Sequence, residues 1–278
     1  MGPLVSTDWV HEHLTNSQIK LIDCSWHMPA TNRSGLREFE TAHIQGAQFL
    51  DIDSVADQTS TLPHMMPSKE LFQSFAESAG LTNQDTIILY DNSDLRTAAR
   101  GRMMFLEFGH GAVYVMNGGL QKWVSESKPV CSNPVKADVG HFEIKPSCIA
   151  VASLEDMCHF VEKKDRQILD ARSHDRFSAK VPEPREGLKS GHMPGALNVP
   201  FTQLIQDDGT YHGPEFLEQT FKQAGLNFSR PAVTSCGSGI TACVVGLALE
   251  ILEKKDVAIY DGSWSEWGAQ ETTPVEKG

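Results

Sequence analysis

Four short strings occur twice in this sequence, in one order and at nearly one offset. Leu21-Ile22-Asp23 returns as Ile168-Leu169-Asp170, 147 positions later. Ala42-His43-Ile44-Gln45-Gly46-Ala47 is echoed by Gly191-His192-Met193-Pro194-Gly195-Ala196, with the histidines 149 apart. Ile87-Ile88-Leu89-Tyr90-Asp91 matches Ala232-Val233-Thr234-Ser235-Cys236, the last residues 145 apart. Val115–Trp123 answers Ile259–Trp267, the last tryptophans 144 apart. Such a pattern is a tandem duplication, and it restricts the chain to two similar domains, which 278 residues can accommodate. The expected division is 1–126, a linker over 127–147, and 148–278. The linker carries no landmark and three prolines, and Phe142 within it suggests packing against a domain surface.

Each half alternates short β-branched runs with helix-period stretches. In the second half Ile168–Ala171, Ala232–Ser235 and Val257–Tyr260 predict strands; Glu215–Ala224 and Thr241–Leu252 predict helices. The last of these is apolar nearly all round, which predicts burial on several sides. The fold class expected is α/β, each domain a parallel sheet flanked by helices. Sheets of this kind carry functional groups on loops at the carboxyl ends of their strands. Cys236 sits at such a place, between a strand and a helix N-terminus.

Composition narrows the partners. A net charge of −12, with no basic run, argues against nucleic acid, because nothing neutralises phosphates over a broad face. There is no stretch of about 20 apolar residues for a membrane span. The first residues lack the basic and apolar regions of a signal peptide, and Pro3 argues against myristoylation at Gly2. The six scattered cysteines read as reduced thiols, so a reducing compartment, the cytoplasm, is expected. No Cys-x-x-Cys pair occurs, and His11-Glu12-His13 reads as a solvated helix face, not a metal site. Cys24, Cys148, Cys158 and Cys243 read as buried small apolar residues, and Cys131 lies in the linker without chemical context.

The loop Cys236-Gly237-Ser238-Gly239-Ile240-Thr241 is the chemically richest string. A cysteine opening a loop that feeds a helix meets a ring of backbone N–H groups and the positive end of the helix dipole, both of which favour thiolate over thiol. Gly237 and Gly239 let the backbone fold into a cradle. Three other readings fail. Gly237–Ala242 fits G-x-G-x-x-A with Asp261 at the end of the next strand, but only 17 residues follow Asp261 and the fingerprint leaves the cysteine unexplained. A phosphatase loop needs an arginine six positions after the cysteine, where Ala242 stands. G-x-S-x-G needs glycines where Cys236 and Ile240 flank Ser238.

The duplication, Gly191–Asn198, Asp261-Gly262-Ser263-Trp264-Ser265-Glu266-Trp267-Gly268 and the cysteine loop together resemble the rhodanese superfamily of sulfurtransferases over almost the whole chain. The resemblance implies tandem rhodanese-like domains, the first catalytically silent with Asp91 opposite Cys236, and one active site per chain. Within the superfamily, thiosulfate-preferring loops resemble C-R-K-G-V-T and mercaptopyruvate-preferring loops C-G-S-G-V-T. This chain departs from the second only by Ile240 and has no loop cation for a dianion. The family segment that supplies two arginines falls on Arg176 and Arg185, which would hold a substrate carboxylate and keto oxygen. Read without the resemblance, they are surface ion pairs with Asp175 and Glu183. A Ser–His–Asp relay implied by the family falls on Ser238 and on His64 and Asp53, which lie in a first-half stretch resembling one that crosses to the second domain, although a histidine in that Pro/Met-rich loop reads equally as an exposed loop residue.

The expectation that follows is a 3-mercaptopyruvate sulfurtransferase. Cys236 would become a persulfide whose outer sulfur is held by the loop of Gly237, Gly239, Ile240 and Thr241. The sulfur would pass to thioredoxin, a small thiol or cyanide, with no metal or organic cofactor. Two alternatives stay open at this level: a thiosulfate sulfurtransferase, and a non-catalytic binding module, against which the retained Cys236 argues.

Overall fold

The computed structural model describes residues 2–133 and 136–278, so positions 134 and 135 of the expected linker, and Met1 of the N-terminal reading, lie outside the described residues. Among them the chain forms two compact units. The first comprises Met1–Gln58, Met66–Cys148 and Asp207–Tyr211; the second comprises Thr59–Met65, Ile149–Gln206 and His212–Gly278. Thr59–Met65 thus belongs to the second unit although it lies in the first half of the sequence.

The first unit runs β1 (Leu4–Val5), α1 (Thr7–Glu12), β2 (Ile19–Asp23), α2 (Gly35–Thr41), β3 (Gln48–Phe49), α3 (Lys69–Ser78), β4 (Thr86–Tyr90), α4 (Ala98–Glu107), β5 (Val113–Met116) and α5 (Gly119–Ser125). Its sheet has the order β1-β5-β4-β2-β3. The second unit runs β6 (Ala150–Ala152), α6 (Leu154–Lys163), β7 (Gln167–Asp170), α7 (His174–Phe177), β8 (Leu197–Asn198), α8 (Pro214–Gln223), β9 (Ala232–Ser235), α9 (Thr241–Ile251), β10 (Val257–Tyr260) and α10 (Ser263–Trp267), with the order β6-β10-β9-β7-β8. Every strand pair is parallel, and the two orders are the same order written twice. The fold is α/β, as the alternation of strand and helix signals predicts. Helix α8 begins one residue before the predicted start because Pro214 suits a first helical turn, where no N–H bond is lost.

The repeated landmarks are packing elements. Trp123 and Trp267 are fully buried in the two cores, and their indole N–H groups donate to Pro129 O at 2.9 Å and Pro274 O at 3.0 Å. His43 and His192 donate through Nδ1 to Phe39 O and Phe177 O and stack on those phenylalanine rings. Helix α9 is buried on several sides, as predicted.

The linker lies on the first unit. Gly140 N donates to Glu77 O at 2.8 Å and Lys145 N to Phe108 O at 3.1 Å, while Phe142 is fully buried among Phe72, Phe105 and His110. The cysteines need a correction. Cys24 and Cys243 are buried, but Cys148 and Cys158 are exposed. Cys158 stands about 100° round α6 from Met157, the buried residue of that helix, so its position on the helix overrides the usual burial of a free thiol. No described helix is long and apolar enough to cross a membrane.

Candidate active site

Strand β9 lies in the middle of the second sheet, between β10 and β7. Its carboxyl end delivers Cys236 into the loop that turns into α9. The Cys236 side chain is buried, and its backbone N–H donates to Ser263 Oγ at 3.1 Å. The same hydroxyl stands 3.8 Å from Cys236 Sγ. Cys236 O accepts from Trp264 N at 3.0 Å, and Gly237 O accepts from Ser265 N at 2.9 Å and Ser265 Oγ at 2.7 Å. The loop is therefore stitched to the start of α10. Gly239 has φ +77°, a backbone conformation that a side chain would oppose. The start of α9 adds its dipole.

Two arginines stand over this loop. Arg176 comes from α7, and a Cβ built on Gly237 would meet its Nη2 at 3.1 Å and Arg185 Nη1 at 3.8 Å. A Cβ at 237 would be tight against Arg176 Nη2 and in ordinary contact with Arg185 Nη1, so the bare backbone of glycine lets both guanidinium groups come close to the loop. Arg185 Nη2 donates to Ser238 Oγ at 3.4 Å and makes no ion pair among the described residues. Burial, then the neighbouring charge of Arg176, pushes the Arg185 guanidinium below its ordinary value, while Cys236 and Glu183 pull it back up. Arg176 pairs with Glu183, as a reading without the family suggests, but the Glu183 side chain is only 2% exposed. This pair is part of the site, not of the surface.

His64 belongs to the second unit with the segment Thr59–Met65. It is buried, and its Nδ1 lies 3.1 Å from Ser238 Oγ. The reading of His64 as an exposed loop residue is therefore set aside. Asp53 belongs to the first unit, where it accepts from Trp26 Nε1 at 2.7 Å. The second unit brings together Cys236, Gly237, Ser238, Gly239, Ile240, Thr241, Arg176, Arg185 and His64. No group of three or more His, Cys, Asp or Glu side chains able to hold a metal occurs among the described residues.

Ser263 escaped the sequence reading, although its string was singled out. It is fully buried at φ +49°, a strained conformation for a residue with a side chain. The duplication supplies a control. The residue 144 positions earlier, Gly119, has φ +59°, and a Cβ there would stand 2.3 Å from Asp91 O. Where a cysteine replaces Asp91, the chain accepts the strain and gains a hydroxyl beside the thiol. Ser263→Gly is expected to keep or raise the thermal midpoint and to slow iodoacetamide alkylation of Cys236 about tenfold at fixed pH, the worth of about one hydrogen bond. An unchanged alkylation rate would make the hydroxyl a backbone prop only.

The first unit shows what the same loop does without a thiol. Asp91 turns inward and fills its own cradle, accepting from Ser93 N at 2.9 Å and Ala98 N at 2.8 Å. Burial, then the charges of Asp23 and Asp91, pushes the neighbouring Cys24 thiol well above its ordinary value, which keeps it protonated and unreactive.

Comparison with known proteins shows which family both halves of the chain match. The family described as rhodanese-like domain matches residues 6–126 and again 153–270. The 3-mercaptopyruvate sulfurtransferase of Escherichia coli (strain K12) is 38% identical over 273 residues, spanning 98% of this chain and 97% of that protein. The mitochondrial thiosulfate/3-mercaptopyruvate sulfurtransferase 1 of Arabidopsis thaliana is 36% identical over 295 residues, 99% of this chain and 78% of that one. The crystal structure of SseA from Escherichia coli, a 3-mercaptopyruvate sulfotransferase, superposes with a TM-score of 0.87 at 35% identity, covering 95% of this chain and 99% of SseA.

Proposed function

We propose that this chain, which belongs to the rhodanese family through both of its halves, is a sulfurtransferase that moves sulfur from 3-mercaptopyruvate through a Cys236 persulfide to a thiol or cyanide, releasing pyruvate. The observation that carries the reading is the loop Cys236–Thr241 itself. It holds no cation of its own, and Arg176 and Arg185 lie against the bare backbone of Gly237. A single carboxylate with an adjacent keto oxygen matches two guanidinium groups; a compact dianion finds no partner within the loop.

The steps follow from the groups present. Arg176 and Arg185 orient the donor's carboxylate and keto group, which leaves its sulfur beside Cys236. The Cys236 thiolate attacks that sulfur. The S–S bond forms as the C–S bond breaks, and the electron pair departs with pyruvate enolate, stabilised by the arginines. The enolate takes a proton and becomes pyruvate; Ser238, with His64 Nδ1 at 3.1 Å, is the group assigned to deliver it. The relay expected of Ser238, His64 and Asp53 enters this proposal through its first two members. The outer sulfur of the persulfide rests against the N–H groups around Gly237, Gly239, Ile240 and Thr241. An acceptor thiolate or cyanide then attacks it, and Cys236 leaves as thiolate. The steps call for neither metal nor organic cofactor.

The division into a silent half (1–126), a linker (127–147) and a catalytic half (148–278) belongs to this reading, with the addition that the catalytic unit takes His64 from Thr59–Met65. All six cysteines are free, which supports the reducing cytoplasm as the working compartment and a reduced dithiol such as thioredoxin as an acceptor.

The test is steady-state sulfur transfer to cyanide with 3-mercaptopyruvate and thiosulfate side by side. The expected result is a kcat/KM at least about a hundredfold higher for mercaptopyruvate, the worth of a bidentate charge-assisted contact made by one donor and not the other. Equal or reversed preference would mean that the loop does not select the donor, in keeping with the Arabidopsis relative that bears both substrates in its name.

A further inference from the structure

We infer that Glu183 is a positioning residue of the donor site. It fixes the Arg176 guanidinium over the Cys236 loop and offsets one of the two positive charges that stand there. The inference rests on the sulfurtransferase reading for the kinetic half of its test only.

Glu183 is flanked by Pro182 and Pro184, both exposed, yet its own carboxylate is turned inward. Burying a carboxylate this far is unfavourable unless every oxygen is paired. Here one oxygen accepts from Arg172 Nη1 at 2.8 Å and from Arg176 Nε at 3.2 Å, and the other accepts from Arg176 Nη2. The two arginines differ in what they have left to give. Arg172 is 1% exposed and fully committed: it binds both Asp170 oxygens at 2.6–3.1 Å, donates to Gly191 O at 2.8 Å and lies 4.1 Å from the Trp264 ring. Burial alone would lower the Arg172 guanidinium, but the charges of Asp170 and Glu183 hold it above its ordinary value. Arg176 is 24% exposed. Glu183 therefore links an immobile buried anchor to an arginine that faces the loop. It takes hold of Arg176 through Nε and Nη2, which leaves Nη1 and the outer edge for a ligand.

The charges around the loop assign Glu183 a second role. Arg172, Arg176 and Arg185 bring three positive charges, and Asp170 and Glu183 two negative ones. Arg185 is already lowered by burial and by the charge of Arg176. Without Glu183 two uncompensated guanidinium groups would face each other over Gly237 and repel. Glu183 both keeps Arg176 in place and sets the charge beside Cys236 at about one net positive.

The experiment uses Glu183→Gln and Glu183→Asp in the full chain. Glu183→Gln is expected to raise the KM for 3-mercaptopyruvate about tenfold, with kcat within about twofold. It is also expected to raise, severalfold, the ratio of Cys236 alkylation rates by anionic iodoacetate and neutral iodoacetamide, because the site becomes more positive. Glu183→Asp keeps the charge and the Arg172 pairing, so it should raise KM while leaving the reagent ratio at the wild-type value. This variant also stands in if the glutamine protein fails to fold. A purely structural Glu183 would lower the thermal midpoint and leave both KM and the reagent ratio unchanged, and that result would overturn the inference. Failure of the wild type to turn over mercaptopyruvate would defeat the donor assignment instead, and the reagent ratio would still decide the role of the charge.

Discussion

Cys236→Ser is expected to lower sulfur transfer from either donor by about a thousandfold or more, with the fold retained. The loop is held by the backbone N–H and C=O of Cys236 and by Gly237 O, bonded to Ser263, Trp264 and Ser265, and none of these contacts uses the Cys236 side chain. Replacing sulfur by oxygen in a nearly closed space changes little in packing. It changes the chemistry, because a hydroxyl is far less ionised than a thiol and cannot carry a sulfane sulfur as a persulfide. Arg176 and Arg185 remain, so the variant should still bind donor, and the loss should fall in kcat. Intact-protein mass spectrometry after exposure to donor checks the same point: wild type gains the mass of one sulfur and the variant does not. Transfer that survives the change would place the nucleophile elsewhere. Cys243, whose thiol donates to Gly239 O at 3.0 Å, would then be the next to replace.

The second large effect concerns stability in the first unit. Asp23 is pushed up to about 7, first by burial, with the charge of Asp91 adding to it and hydrogen bonds from Ser25 and Tyr90 opposing. Its counterpart Asp170 has Arg172 where Asp23 has only Ser25 two residues on. A carboxyl raised in the folded state binds its proton more tightly folded than unfolded. The associated stability is complete below the ordinary value of 3.8, drains as pH rises towards about 7, and stays absent above it. That interval, at about 1.4 kcal/mol per pH unit, amounts to about 4 kcal/mol. Asp23→Asn removes the titration while keeping an acceptor for Ser25. Measured by urea unfolding from pH 4 to 8, its stability relative to wild type should climb by about 4 kcal/mol and level off near pH 7. Parallel curves for the two proteins would show that Asp23 does not titrate in this range.

Much of this was legible in the sequence because duplication makes a chain its own reference. Strings that fall on strand ends and tight turns cannot drift far, so Asp23 and Asp170, or Trp123 and Trp267, mark equivalent places. The same logic located Cys236 and its repeat counterpart Asp91. What escaped the sequence depends on direction, not on residue type. Glu183 looks like a surface acid because prolines flank it, and only the inward turn of its side chain makes it part of the site. Ser263 looks like a turn residue until its positive φ and its distance to Sγ are known. Cys148 and Cys158 follow their local faces and not the average habit of free cysteine. No periodicity shows that Asp207–Tyr211 belongs with the opposite half of the sequence, and only the family resemblance implies the crossing of the stretch around His64.

That last arrangement makes the two halves poor candidates for independent life. A gene split anywhere in 127–147 would yield a C-terminal product with the cysteine loop and both arginines but without His64. Its N-terminal sibling would lack the Asp207–Tyr211 piece, whose Asp208 pairs with Lys122 at 2.9 Å. Each present unit includes a segment from the other half of the sequence. With those segments exchanged, fission of the gene would cost both products at once. The first unit is therefore carried along by inheritance with the second, whether or not its own loop ever does chemistry.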